Sequence, residues 1–294
     1  SRTATKTNKE IMTKLLLKII VLATACCLSF LKISQAEYKP LHKETRLLMG
    51  TFVEVISPYK EAINLAFTEM EKLDKLLSKY NPDSEISQLN KNGSMKVSKD
   101  TFDIMKKSKF FWEKSSGLFD ITVGPLVDLW GFTDRNFKIP SDEQIKETLK
   151  IVGSDKIILH EENSMVELAV VGMKLDLGAI AKGYAVDAAA QKLKENSIDS
   201  ALINAGGNIY CIGDNNGKPW NIAVKNPFEA NEYAGEIQIK DRAVATSGDY
   251  EQFFIMGGNN YTHIINPKTG YPVKSNLSSV TVTASDATTA DALS

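Results

Sequence analysis

Three stretches of this chain hold residue types that can do chemistry together: Leu175–Asp187, reading LDLGAIAKGYAVD, His263–Pro272, reading HIINPKTGYP, and Thr289–Ser294, reading TADALS. The first is an apolar run followed by a helix start with Lys182 and Gly183 in its opening turn. A helix start gathers unpaired N–H groups and partial positive charge, so a phosphate can sit there, with Lys182 adding a full charge and Gly183 admitting close approach. The same spacing also reads as a plain strand-to-helix junction capped by Asp176, because it is neither a P-loop nor GxGxxG. Asp291 is predicted in a helix started by Ser285 and Asp286, either as a solvated or capping carboxylate or as a ligand to a small hard cation, which accepts several kinds of oxygen donor at once. His263 is predicted in a strand, two residues after Tyr261, with Asn266-Pro267 and Thr269-Gly270 closing a turn behind it. A lone strand histidine is more often structural. Its catalytic use would be to take a proton from a hydroxyl too weakly acidic to attack unaided, or to hydrogen-bond phosphates.

These groups need elements to hold them. Helical spacing of Ala62, Ile63, Ala66, Phe67, Met70, Leu73, Leu76, Leu77 and Tyr80 predicts a core-facing helix over Glu61–Tyr80, ended by Asn81-Pro82. A second is predicted over Lys99–Lys114, with Ser98 as N-cap, Asp100 in its first turn and Gly117 beyond its end. A third, over Ala179–Lys194, is rich in small residues and can approach a sheet closely. Strands are predicted at Thr51–Ile56, Lys156–Leu159, Met173–Leu177, Ala201–Asn204, Ile209–Gly213, Asn221–Lys225, Glu236–Ile239, Gln252–Met256, Tyr261–Ile265 and Leu277–Ala284. Gly257-Gly258-Asn259-Asn260 is a hairpin signal and Gly270-Tyr271-Pro272 a turn. Long helices early and a strand meander later read as α+β.

Basic residues at 2, 6, 9, 14, 18 and 32 against Glu10 give the first 36 residues a charge of +5, so the remainder carries −6 of the net −1. That balance offers no basic face for nucleic acid, and none is expected as a partner. Residues 1–36 read as a leader: an apolar Leu15–Leu31 follows Lys6, Lys9 and Lys14, and Ser34-Gln35-Ala36 supplies small residues before Glu37. Ser1–Ile11 before Met12 are expected to be extraneous to the fold. Export is expected, the chain being cleaved free or held by an uncleaved anchor. Acylation at Cys26 or Cys27 is the lesser reading, because Ala23 or Thr24 stands where leucine is usual. Beyond the leader only Cys211 remains, which excludes an intramolecular disulfide and a cysteine-based zinc site there.

Further motifs accompany the three stretches: Met49-Gly50-Thr51, Ser78-Lys79-Tyr80, Gly117-Leu118-Phe119-Asp120 and Val123-Gly124-Pro125-Leu126. HIINPKTGYP itself fits H-x-I-D/N-P-x-T-G-x-P. Over residues 46–294 the chain thereby resembles the ApbE family, magnesium-dependent FAD:protein FMN transferases. The resemblance implies an α+β, ApbE/T-fold-like architecture with mostly antiparallel sheets, packed helices and FAD in the cleft of two intimately joined lobes over 37–294. It implies flavin contacts by Met49, Tyr80, Leu118, Phe119, Asp120, Asp176, Lys182 and Ile265, and Mg²⁺ held by the Ala179 carbonyl and Asp291. The family's usual further ligand, a threonine four residues after that aspartate, would fall at position 295. The chain is therefore expected to be a C-terminally truncated fragment, with Ser294 a partial substitute whose hydroxyl points about 100° around the helix. His263 becomes the implied base. FMN would pass to a threonine or serine of an exported or membrane redox subunit, of NADH:quinone reductase or Rnf type, in an Asp-Gly-containing motif that this chain itself lacks. The expected place of work is the periplasmic side of the inner membrane. FAD pyrophosphatase and non-catalytic flavin binding are the alternatives.

Overall fold

The computed structural model describes Met12 and residues 38–229 and 232–294; apart from Met12, the predicted leader lies outside them. In chain order the elements begin with β1 (His42–Leu48), β2 (Thr51–Ser57), α1 (Lys60–Leu77), α2 (Glu85–Asn92), β3 (Ser94–Lys96), α3 (Lys99–Lys114), α4 (Gly124–Trp130) and α5 (Asp142–Leu149). There follow β4 (Ile157–His160), β5 (Met165–Leu168), α6 (Ala181–Glu195), β6 (Ala201–Ala205), β7 (Asn208–Ile212) and β8 (Trp220–Lys225). The last are β9 (Tyr233–Ile239), β10 (Arg242–Gly248), β11 (Phe253–Met256), β12 (Asn259–Thr262), β13 (Ser279–Ala284) and α7 (Ala287–Leu293). None of the described helices is long and apolar enough to cross a membrane.

Period-two alternation builds the central layer, a six-stranded sheet in the order β1-β2-β6-β7-β10-β13 with every pair antiparallel. Val53, Val55, Ala201, Ile203, Tyr210, Ile212, Ala243 and Ala245 point to one face, where they bury the apolar sides of α1, α6 and α7. Leu202, Ile209, Cys211 and Val244 point to the other, under Trp220, Ile222 and Ile239 of the β8–β9 hairpin. A third cluster joins α4 and α5 to β11 and Ile265 around Trp130 and Phe254. The α+β architecture with antiparallel sheets is thus what the chain adopts.

Most boundaries fall within a few residues of expectation, and three departures matter for function. Helix α1 stops at Leu77, with Ser78 already extended at ψ 117° and its carbonyl taken by the Ser84 hydroxyl at 2.6 Å. Lys79 and Tyr80 are thereby freed from the helix. Met173–Leu177 forms no strand, because its backbone groups pair elsewhere: Leu175 exchanges two hydrogen bonds with the Asn90 side chain, and the Asp176 N–H donates to the Ile121 carbonyl. His263 lies just past the end of β12, in a bend, and not within a strand. The Gly257-Gly258 hairpin is formed as predicted. A second two-residue hairpin, missed in the sequence, turns at Met49-Gly50 with φ 53° and 72°, the left-handed pair that a type I′ turn requires.

Candidate active site

The first turn of α6 and the middle of α7 meet at Asp291. This carboxylate is 7% exposed, and its Oδ2 accepts the Gly183 N–H at 2.8 Å. Burial pushes its pKa up, while Lys182 and hydrogen bonds from the Gly183 backbone and the Asn208 side chain pull the other way without overcoming burial. A helix start is where a buried carboxylate finds partial positive charge. This alters the role expected of the turn. The Ala181 N–H goes to the Leu177 carbonyl at 2.8 Å and the Gly183 N–H to Asp291, which leaves the Lys182 N–H as the first-turn donor available to an anion. Lys182 folds back, its Nζ 3.2 Å from the Gly178 carbonyl.

Gly183 admits a protein contact and not, as anticipated, a phosphate. A Cβ there would stand 2.3 Å from the Ala287 carbonyl oxygen and 2.7 Å from Asp291 Cβ. Intrinsic helix propensity favours alanine over glycine by about 1 kcal/mol, whereas overpacking against backbone costs about 1–3 kcal/mol. Gly183→Ala should therefore lower stability by about 1–2 kcal/mol in urea denaturation. Propensity alone predicts the opposite sign.

At the chain's last residue the Ser294 hydroxyl lies 2.9 Å from Ser247 Oγ and donates to the Asp291 carbonyl at 3.1 Å. Ala179 is exposed, two residues before α6 begins and four before Gly183. The backbone carbonyl of the exposed Ala179, the buried Asp291 carboxylate and the Ser294 and Ser247 hydroxyls are the kinds of hard-oxygen donor that a small divalent cation takes together with phosphate oxygens. Among the described residues, no cluster of three or more His, Cys, Asp or Glu is placed to hold a metal by itself.

A second group forms around Asp176. Lys79 Nζ donates to Asp176 Oδ2 at 2.7 Å, with both side chains 16% exposed, and the Gly178 N–H donates to Asp176 Oδ1 at 2.9 Å. Burial alone would lower the Lys79 pKa, but the charge and hydrogen bond of Asp176 raise it above the ordinary value. Lys79 also reaches Thr133 Oγ1, whose hydroxyl donates to Asp128, itself paired with Lys174 at 2.6 Å. Tyr80 places its ring 5.1 Å from Lys79 Nζ and stands 69% exposed, as Leu118 does at 58%. The open Tyr80 ring beside a charged network suits a planar ligand. Phe119 packs against the main core, its ring 5.9 Å from Phe111.

Asp120 is spent internally. Its carboxylate accepts Thr122 N–H and hydroxyl and Ser154 N–H and hydroxyl at 2.6–3.1 Å, which ties the 117–122 loop to the 153–154 turn. Its side chain is a loop brace. Ile265 is buried in the Trp130 cluster and bridges Pro272, while Trp130 Nε1 donates to the Gly270 carbonyl at 2.8 Å. The turn that follows His263 is thus fastened to α4.

His263 is oriented by one carbonyl. Its backbone N–H donates to Gln252 O at 3.0 Å, and its Nδ1 lies 3.1 Å from the same oxygen. Because a carbonyl only accepts, Nδ1 carries the proton, and in the neutral ring Nε2 keeps its lone pair. Among the described residues no hydrogen bond links His263 to the Asp291 or Asp176 groups.

The model of the ApbE family matches residues 49–294. The chain belongs to that family. An FAD:protein FMN transferase of Haemophilus influenzae is 37% identical over 236 residues, covering 76% of this chain and 68% of that protein. One of Treponema pallidum is 34% identical over 277 residues, covering 86% and 76%. The crystal structure of the ApbE protein of Thermotoga maritima superposes with a TM-score of 0.81 at 36% identity, over 86% of this chain and 85% of that one. The flavin transferase ApbE of Vibrio cholerae does so with a TM-score of 0.76 at 30% identity, over 86% and 85%. At such identities the shared ApbE fold extends to the strands and helices that carry both groups described above. Residues that sequence reasoning passed over are Asp187, Thr133 and Asp128, each with a partner far away in the chain.

Proposed function

We propose that this ApbE protein transfers FMN from FAD to a threonine or serine hydroxyl of another protein and releases AMP. The observation that carries the reading is the buried Asp291, its carboxylate held by the Gly183 N–H in the first turn of α6, four residues after the exposed Ala179, in a chain whose relatives bear the name FAD:protein FMN transferase. Ala179 and Asp291, with Ser294 or Ser247 adjacent, would hold Mg²⁺, which when bound supplies Lewis-acid stabilisation of charge on diphosphate oxygens.

The chain's own residues do the rest. Met49, Tyr80 and Leu118–Asp120 would line the flavin with apolar surface and loop backbone, and Lys182 would add positive charge near the phosphates. Ile265 and Trp130 keep the His263 turn in place. His263 would accept the acceptor hydroxyl proton at Nε2 as its oxygen forms a bond to the FMN phosphorus, while the bond from that phosphorus to the bridging oxygen breaks and AMP leaves. The Gln252 carbonyl holds the ring in the tautomer this needs. We further propose that the acceptor is an exported or membrane redox subunit of NADH:quinone reductase or Rnf type, that the leader exports the chain to the periplasmic side of the inner membrane, and that residues 37–294 form the transferase domain.

The decisive experiment incubates the protein with FAD, Mg²⁺ and an acceptor protein. Intact mass should show the acceptor gaining one FMN for each AMP formed. AMP with free FMN and no adduct would overturn transfer in favour of hydrolysis, and no AMP at all would reduce the protein to a flavin binder.

A further inference from the structure

We propose that Asp187 is a positioning residue that sets the spacing between Ala179 and Asp291, the two groups assigned to the divalent cation. The proposal rests on the cation reading above and deepens it. Gly183 and Asp187 are four residues apart in α6 and share one face of it. Both contact α7. Gly183 gives its N–H to the Asp291 carboxylate at the middle of α7, and Asp187 receives the start of α7: Oδ1 accepts the Ala287 N–H at 2.6 Å, and Oδ2 accepts the Thr288 N–H at 2.8 Å and the Thr288 hydroxyl. Two contacts at different heights fix both the translation and the tilt of one helix along another, and a single contact fixes neither.

Asp187 caps α7 from outside it, taking the Ala287 and Thr288 N–H groups that the N-cap side chain does not reach. Helix α7 has its own N-cap, Asp286, whose Oδ1 accepts the Thr289 N–H at 2.7 Å and whose carbonyl accepts the Ala290 N–H at 3.2 Å. Asp187 reaches across from another helix. It is also held at a cost, since burial pushes its pKa up against the hydrogen bonds from Thr288 and Ala287. Because Ala179 lies two residues before α6, in the turn closed by the Ala181 N–H on the Leu177 carbonyl, and Asp291 is carried by α7, whatever sets one helix against the other sets the opening between the two oxygen donors. Residues that orient ligands in this way are typically worth about 10–100-fold in metal affinity.

The test compares Asp187→Asn with Asp286→Ala in the full chain. Asparagine keeps the shape but turns an amide N–H₂ toward an N–H of α7; Asp286→Ala removes the cap and leaves the cross-helix link. Mn²⁺ alone is titrated by electron paramagnetic resonance, and Mg²⁺ is titrated in the presence of FAD by flavin fluorescence anisotropy. Asp187→Asn should raise the half-saturating concentration of both ions by about tenfold or more, and Asp286→Ala by less than about threefold. Equal shifts in the two variants, or none in Asp187→Asn, would make Asp187 an ordinary helix brace and overturn the proposal. Should Asp187→Asn not fold, Thr288→Val removes only the hydroxyl bond and should shift the ions by about threefold, and no shift would overturn the proposal just as well. A wild-type protein that binds neither ion defeats the cation reading itself, a result distinct from equal behaviour of the variants.

Discussion

Asp291→Asn should lower FMN transfer about a thousandfold and leave stability unchanged or slightly improved. The size follows from losing the carboxylate proposed to hold the cation: Lewis-acid stabilisation is worth several kcal/mol, and about 4 kcal/mol is a factor of about 10³. The stability estimate follows from burial. A carboxylate whose folded pKa is raised stabilises the fold only where it is protonated, so at neutral pH an ionised Asp291 opposes folding and a neutral amide of the same shape relieves that penalty. The lost charge-assisted bond from Gly183 works against this gain and keeps the net change small. Adduct mass over time measures the first effect and thermal melting the second. Chelating divalent cations should reduce wild-type transfer to the level of the variant, which chelation should hardly affect further. Transfer within threefold of wild type would exclude Asp291 from the chemistry.

His263→Ala comes next in size, with transfer falling by about 10²–10⁴, the usual worth of a positioned general base. FAD retention should stay within about threefold, because this side chain is half-buried in a bend and, among the described residues, its ring is hydrogen-bonded to the Gln252 carbonyl alone. His263→Gln separates the roles, since it can hydrogen-bond a phosphate but cannot serve as the base. Full activity in either variant would assign the histidine to structure, and loss of FAD binding would move it to substrate recognition.

Much of the fold was legible because local rules carry it. The helical repeat from Ala62 to Leu77, the Ser98 N-cap and the alternation along β2, β6 and β7 each follow from which side of an element must be apolar. Where the local signal competed with a distant partner, the reading went astray. Met173–Leu177 looks like a strand by composition, yet Asn90 and Ile121 claim its backbone groups. Tyr80 continues a helical repeat, yet Ser84 claims the Ser78 carbonyl and ends the helix early.

The site divides in the same way. Residue types and spacing singled out a helix start with Lys182, a late aspartate and a histidine ahead of the Asn266–Gly270 turn as candidates for handling a diphosphate, the family resemblance tipped that reading over a structural one, and a single cysteine after residue 36 excluded an intramolecular disulfide there. Only the tertiary structure decided that the α6 start receives Asp291, that Gly183 is small for the sake of α7, that Asp120 is consumed in bracing its loop, and that Gln252 selects the histidine tautomer. The reason is physical. A side chain's type limits what it can donate, accept or neutralise and is written in the chain, but its partner depends on which groups burial brings within about 3 Å, and packing sets that across intervals such as the 108 residues between Gly183 and Asp291.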